Sequence, residues 1–176
     1  MERIARDPVD PLEPVPVEAR RYRDAVSRFP TGVTVVTARL AGQHQARTVS
    51  SFTSVSLEPV MVVVSISRRA RLHEVMLAAG EWGVSVLGAN QQHISQLFAR
   101  SDRLTADGLA VVPHHFGPIT GAVLLDEAPA TFECRTAAVY DGGDHSLVLG
   151  EVLALALPHP DLGPLIYHRG DYHHLT

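Results

Sequence analysis

The densest run of side chains able to do chemistry is Thr48-Val49-Ser50-Ser51-Phe52-Thr53-Ser54-Val55-Ser56, in which six of nine residues carry a hydroxyl. Hydroxyls and free backbone N–H groups gathered at a strand end can hydrogen-bond a planar heterocycle rich in acceptors. The same composition suits an exposed Ser/Thr-rich edge whose hydroxyls face water, and the run alone leaves both readings open. A second stretch, Phe29-Pro30-Thr31-Gly32-Val33-Thr34-Val35-Val36, leads from a helix into a strand through a Pro-Thr-Gly corner. Gly32 permits close approach of backbone to a ligand there, or serves a plain turn. The third, Asp141-Gly142-Gly143-Asp144-His145, sets a histidine just beyond a tight turn, where it can donate to a ligand carbonyl, stack on a ring or stay solvated. In the fourth, Tyr167-His168-Arg169-Gly170-Asp171-Tyr172, Arg169 can grip a phosphate or carboxylate in bidentate fashion, or pair with Asp171 at the surface.

Several other chemistries lack their signatures. The chain has no GxGxxG, no GxxxxGK[ST] and no GxSxG, which removes the common dinucleotide, nucleoside-triphosphate and esterase readings. Ten histidines include the pairs His114/His115 and His173/His174, but neighbours on a strand point to opposite faces, and neither HExxH nor a structural-zinc spacing occurs. No metal site is expected. The single cysteine, Cys134, cannot form an internal disulfide and reads as a core residue. A formal charge of −4 with arginines and acids interspersed provides no basic face for nucleic acid. No window approaches the ~20 apolar residues of a membrane span, and no apolar stretch follows the N-terminal charges, so a cytoplasmic protein is expected.

These residues need elements to position them. The 176 residues, 45% of them hydrophobic, suit one domain with its own core. Residues 1–17 hold four prolines and read as a flexible arm, leaving 18–176 as the domain. Helical spacing predicts helices over 18–29, stopped by Pro30, over 69–79, closed by Gly80, and over 91–100. Strands are predicted at 33–38 and 43–49 around an Ala41-Gly42 turn, and at 130–140 and 146–157 around Asp141–Asp144. The apolar runs at 60–66 and 82–87 suit strands buried on both faces. Residues 101–129 read as a long connection with at most a short strand near 109–112, and 165–167 as a last strand. Six or seven mostly antiparallel strands with two or three flanking helices make a mainly β fold, a closed or partly open Greek-key barrel.

Five passages in this order, FPTGVTVVTA, TVSSFTSVSLEP, EWGVSVL, DGGDHSLVLGEV and YHRGDY, resemble the flavin reductase family, the small components that supply reduced flavin to two-component monooxygenases. The resemblance runs from about Tyr22 to Tyr172. It implies a flavin-binding split barrel that forms a homodimer, with FMN or FAD in a groove near the subunit interface and NADH or NADPH as co-substrate. By the same resemblance Thr31, Gly32, Val33 and Thr34 line the flavin. Val49, Ser50, Ser51 and Phe52 meet its ring, Ser56 and Leu57 continue that wall, and His145 belongs to the nicotinamide pocket. Arg169, Gly170 and Asp171 match the terminal segment that helps hold the nicotinamide nucleotide. Where the family commonly has a Ser and a Thr that contact the flavin phosphate, this chain has Ala70 and Leu72, and Arg68, Arg69 or Arg71 are candidates to replace those contacts by charge. Ser85 stands on the cofactor side where Asn is frequent, and Ala46-Arg47 replace the usual Gly-Met.

The activity so implied is hydride transfer from NAD(P)H to flavin, followed by delivery of reduced flavin to a separate monooxygenase. The cofactor carries that chemistry, which agrees with the lack of a catalytic triad. The changes at Ala70, Leu72 and Ser85 keep open a flavin carrier without turnover. A split-barrel flavoenzyme acting on a small organic substrate is a further alternative.

Overall fold

The computed structural model describes residues 16–100 and 109–175. Its centre is one antiparallel sheet of seven strands: β2 (Thr34–Leu40), β3 (Gln43–Val49), β4 (Thr53–Leu57), β5 (Val60–Ser67), β6 (Glu81–Val86), β9 (Ala130–Gly142) and β10 (His145–Ala156). Their spatial order is β3-β2-β6-β9-β10-β5-β4. Two smaller sheets complete the set: β1 (Thr31–Gly32) with β11 (Leu165–His168) and β12 (Asp171–His174), and β7 (His114–Phe116) with β8 (Val123–Leu125).

Chain connectivity closes this sheet into a barrel. β3 and β4 are its two edges, yet only residues 50–52 join them. Four residue steps reach at most ~14 Å, whereas the edges of a flat seven-stranded sheet lie about 29 Å apart. The sheet must therefore curl until its edges face each other, and residues 50–52 cross the remaining split. A mainly β barrel with flanking helices is what the sequence pattern led one to expect, and its split is what the family resemblance implied.

The interior is filled by Val36, Ala38, Val62, Val64, Ile66, Trp82, Val84, Cys134 and Val148. Helix α2 (Arg71–Ala79) adds Leu72 and Met76 to that core, and its His73 meets the Ser146 hydroxyl of β10 at 2.9 Å. Gly80 ends the helix at φ +71 with its N–H on the Met76 carbonyl, the left-handed cap expected of it. A second cluster, with Val35, Leu87, Ile94, Phe98 and Leu125, packs helix α3 (Gln92–Ala99) onto the outer face of β2. Residues 34–38 of β2 and 82–85 of β6 are consequently buried throughout.

Several expectations are corrected. β5 buries only Val62, Val64 and Ile66, in alternation, the side that packs into the barrel core, and its other side is left partly exposed. Helix α1 (Ala19–Val26) is shorter than 18–29 and buries none of its residues, leaving Tyr22, Val26 and Phe29 exposed. Leu109 and Ala110 are helical rather than extended, and the connection that holds them also carries β7 and β8. Most of the proposed N-terminal arm, residues 1–15, lies outside the described residues. Among the described residues no helix is long and apolar enough to cross a membrane.

Candidate active site

Two pockets meet at the end of β3. The first, of about 290 Å³, is lined by residues 47–51, by Ser65, Ile66 and Ser67 of β5, and by His145. The second, of about 260 Å³, is lined by Val33, Arg47, Thr48, Ser50, Ser95, Ala99, Tyr167 and Tyr172. Arg47, Thr48 and Ser50 belong to both, and among the described residues neither lining includes a carboxylate. Such a site favours a neutral ring system together with an anionic group.

Local hydrogen bonds build the shared wall. Thr34 donates its hydroxyl to the Val49 carbonyl at 2.8 Å, holding the last residue of β3 against β2. Thr48 donates to the Ser95 carbonyl at 2.6 Å, and the Ser95 hydroxyl meets the Tyr172 hydroxyl at 2.8 Å, so α3 and the β11–β12 hairpin are tied to the same strand end. Tyr167 and Tyr172 lie with ring centroids 5.2 Å apart. Residues 50–52 belong to neither the β3 nor the β4 ladder, which leaves their N–H groups outside the sheet pairing. Ser50 is exposed and its hydroxyl has no hydrogen bond among the described residues, while the Ser51 hydroxyl bonds both backbone groups of Ser65.

On the opposite side of the first pocket, His145 begins β10 and pairs Nδ1 with Asp144 Oδ1 at 2.7 Å. That bond holds the Asp144 carboxyl below the usual carboxylate range, since its charged form is the one the histidine stabilises. The two-residue tip of this hairpin is Gly143-Asp144, and Gly143 supplies the positive φ of +78°.

The flavin reductase like domain family matches residues 26–176. The chain belongs to that family. An NADH-dependent FMN reductase, AsuE2 of Streptomyces nodosus subsp. asukaensis, is 42% identical over 86% of this chain and 82% of the relative. The reductase component of 4-hydroxyphenylacetate 3-monooxygenase from Thermus thermophilus is 36% identical over 88% of this chain and 95% of its own. Among solved structures, the NADH:FAD oxidoreductase SgcE6 of Streptomyces globisporus, in complex with NAD and FAD fragments, superposes with a TM-score of 0.84 at 33% identity, covering 89% of this chain and 92% of that one.

Within this flavin reductase fold, the residues singled out from sequence divide into groups. Val33, Val49, Ser50, Ser51 and His145 come together at the two pockets. Thr31 pairs with Tyr167 and Gly32 with Ile166 in the small sheet beside them, and nothing stands within 4 Å of where a Gly32 side chain would begin. Phe52 turns its ring inward, 5.4 Å from that of Phe132, and packs against the barrel core. Ser85 is fully buried and accepts the Leu125 N–H at 3.0 Å, which leaves it no surface for a cofactor. Ser56, whose hydroxyl accepts the Glu58 N–H, and Leu57, 81% exposed, sit on β4 and line neither pocket.

Arg169 and Gly170 form the tip of the β11–β12 hairpin with φ of +53° and +88°, the signs of a type I′ turn, and the Arg169 N–H donates to the Ser27 carbonyl. With Asp171 they are exposed and line neither pocket. Ala70 and Leu72 are buried. Arg71 is exposed on the first turn of α2, and Arg68 is engaged by the Asp141–His145 hairpin. Arg47, Ser67, Ser95 and Tyr172 reach the pockets without having been singled out for that role; only strand-end alternation after Ala46 could have flagged Arg47.

Proposed function

We propose that this chain oxidises NADH and reduces FMN or FAD, and that the reduced flavin serves a separate monooxygenase component. One observation carries the reading: two adjoining pockets share a wall that carries Arg47, Thr48 and Ser50, which suits two ring systems held in contact and an anionic tail. The named NADH-dependent relatives support the same donor and both flavins.

Bound flavin supplies the hydride-accepting chemistry. The chain's own tasks are binding, orientation and exclusion of water. The Ser50 hydroxyl and the N–H groups of residues 50–52 would hold the acceptor-rich edge of the flavin ring. Arg47 faces the anionic group, Val33 and Tyr167 shed water from the second pocket, and His145 borders the nicotinamide. No side chain has to pass a proton, and none here is arranged in a triad. Thr31, Gly32 and Thr34 shape the corner beside the site, while Arg71 and the Arg169–Asp171 turn lie at its periphery, where they steer phosphates.

The active form is a homodimer in the cytoplasm. Exposed Val55 and Leu57 on β4 and Val60 at the start of β5, with Tyr22 and Val26 on α1 and Phe29 just beyond it, form apolar surface that a second copy covers. Ser56 and Leu57 then complete the partner's site rather than their own. Size-exclusion chromatography with light scattering should give twice the chain mass.

The deciding assay follows NADH absorbance with FMN, then FAD, then with NADPH replacing NADH. Rapid oxidation that depends on added flavin is expected. Tight flavin binding without oxidation would leave the carrier role, and a requirement for an organic compound would point to a substrate enzyme.

A further inference from the structure

The hairpin that brings His145 to the first pocket is held by a residue outside it. Residues 141–144 are all exposed, and two of the four are glycines, a composition that leaves a turn with much conformational freedom. Arg68, directly after β5, ties this turn at three points. Its backbone N–H donates to the Asp144 carbonyl at 3.0 Å, its Nε to the His145 carbonyl at 3.3 Å, and its Nη2 to Asp141 Oδ1 at 2.7 Å. Asp141 Oδ1 also accepts the Gly143 N–H at 2.9 Å, so the guanidinium, the carboxylate and the turn backbone form one connected set. The first residue of the turn, the last, and His145 itself are thus all fastened to the end of β5.

We propose that Arg68 is a positioning residue for the reduction, fixing the backbone from which His145 meets the nicotinamide nucleotide without touching either ligand. The inference rests on the reading of His145 given under Proposed function. An exposed ion pair such as Arg68–Asp141 contributes little alone. Here, however, the same guanidinium also holds the His145 carbonyl, so losing it releases Asp141 and His145 together, while the backbone N–H of residue 68 still holds the Asp144 carbonyl. A site group that drifts by about 1 Å loses much of its effect on a bound partner. Arg68 is therefore spent on the hairpin and does not replace the phosphate contacts missing at Ala70 and Leu72.

The test is a double-mutant cycle on the full chain, reading KM for NADH at saturating FMN in wild type, Arg68→Ala, His145→Ala and the double variant. Arg68→Ala should raise KM for NADH about three- to tenfold, and this effect should vanish in the His145→Ala background, the non-additivity of residues acting through one another. Asp141→Asn, which cuts the same clamp from the hairpin side, should reproduce the change, and Arg68→Lys should restore only part of it, because lysine keeps the charge but not the fork. KM for FMN should stay constant. A full Arg68→Ala effect without His145, or a rise in KM for FMN instead, would mean direct ligand contact and overturn the proposal. A second readout needs no turnover: the His145 ring nitrogens, followed by NMR in ligand-free protein, should broaden in Arg68→Ala and Asp141→Asn. Unchanged ring signals in both variants would overturn positioning, whereas absent NADH oxidation in wild type would count only against the reductase reading.

Discussion

The Ser51 hydroxyl donates to the Ser65 carbonyl and accepts the Ser65 N–H, each at 3.0 Å. β4 pairs with β5 only over residues 60–63, so Ser65 lies beyond the reach of that ladder, at the split of the barrel. One hydroxyl thereby stands in for a missing strand, and little of it remains for a ligand. Ser50, next to it, lines both pockets with its hydroxyl uncommitted among the described residues.

Alanine at these two positions should separate stability from binding. Ser51→Ala should cost about 1 kcal/mol, the net value of a typical hydrogen bond, and lower Tm by about 2–4 °C, with flavin affinity nearly unchanged. Ser50→Ala should leave Tm unchanged and weaken flavin binding about fivefold. Thermal unfolding and flavin fluorescence quenching measure both. The opposite pattern would assign the ring-holding hydroxyl to Ser51.

Arg47 is expected to act on charge rather than shape. A guanidinium hydrogen-bonded to an anion contributes about 1.5–3 kcal/mol, so Arg47→Met should weaken FMN roughly tenfold or more while riboflavin, which lacks the phosphate, changes less than about twofold. Calorimetric titration with the two flavins reads this directly. Equal losses for both would show that Arg47 supports the ring instead.

Much of the scaffold could be read from local signals, because hairpins and caps are written in adjacent residues. The 43–49 return strand, the Gly80 cap and the Gly143 turn follow from glycine placement and β-branched runs. β4 escaped because its residues are almost all exposed and hydroxyl-rich, so no alternation marks it, and β12 because its polar residues owe their pairing to a turn with Arg169 at positive φ. The site divides in the same way. The hydroxyl run pointed to the right strand end, but residue type does not tell which hydroxyl the backbone has already claimed: Thr34, Ser51 and Ser85 are used internally. Ser95 and Tyr172 lie 77 residues apart, and only the packing of α3 against the last hairpin joins them.

The barrel should not tolerate a methyl group at Gly150. A Cβ there would stand 2.3 Å from Trp82 Cζ2, and the indole is fully buried with its Nε1 donating to Thr136. The ring has no room to move aside, and a register shift between Leu149 and Gly150 already adapts β10 to it. Gly150→Ala should destabilise the fold by about 1–3 kcal/mol, measured as a lower urea midpoint at constant slope. An unchanged midpoint would mean that the two strands can slide apart locally.

Cys134 supplies a probe of the whole fold. It is fully buried between Trp82 and Val152, and burial, with Glu133 beside it, pushes its thiol from 9.0 up to about 12. The thiolate is the reactive form, so at pH 8 a thiol reagent should leave native protein unlabelled and modify it only at the rate of unfolding. The same shift fixes a pH dependence. Between about pH 9 and 12 the unfolded chain has released this proton and the folded chain keeps it, so folding binds a proton and stability must fall as pH rises through that window. Cys134→Ala should flatten the alkaline decline in urea midpoint while lowering the midpoint itself, since the smaller side chain leaves a gap beside Trp82. An equally steep decline in the variant would assign the alkaline loss to other groups, and rapid labelling of native protein at pH 8 would mean that the barrel opens locally at β9.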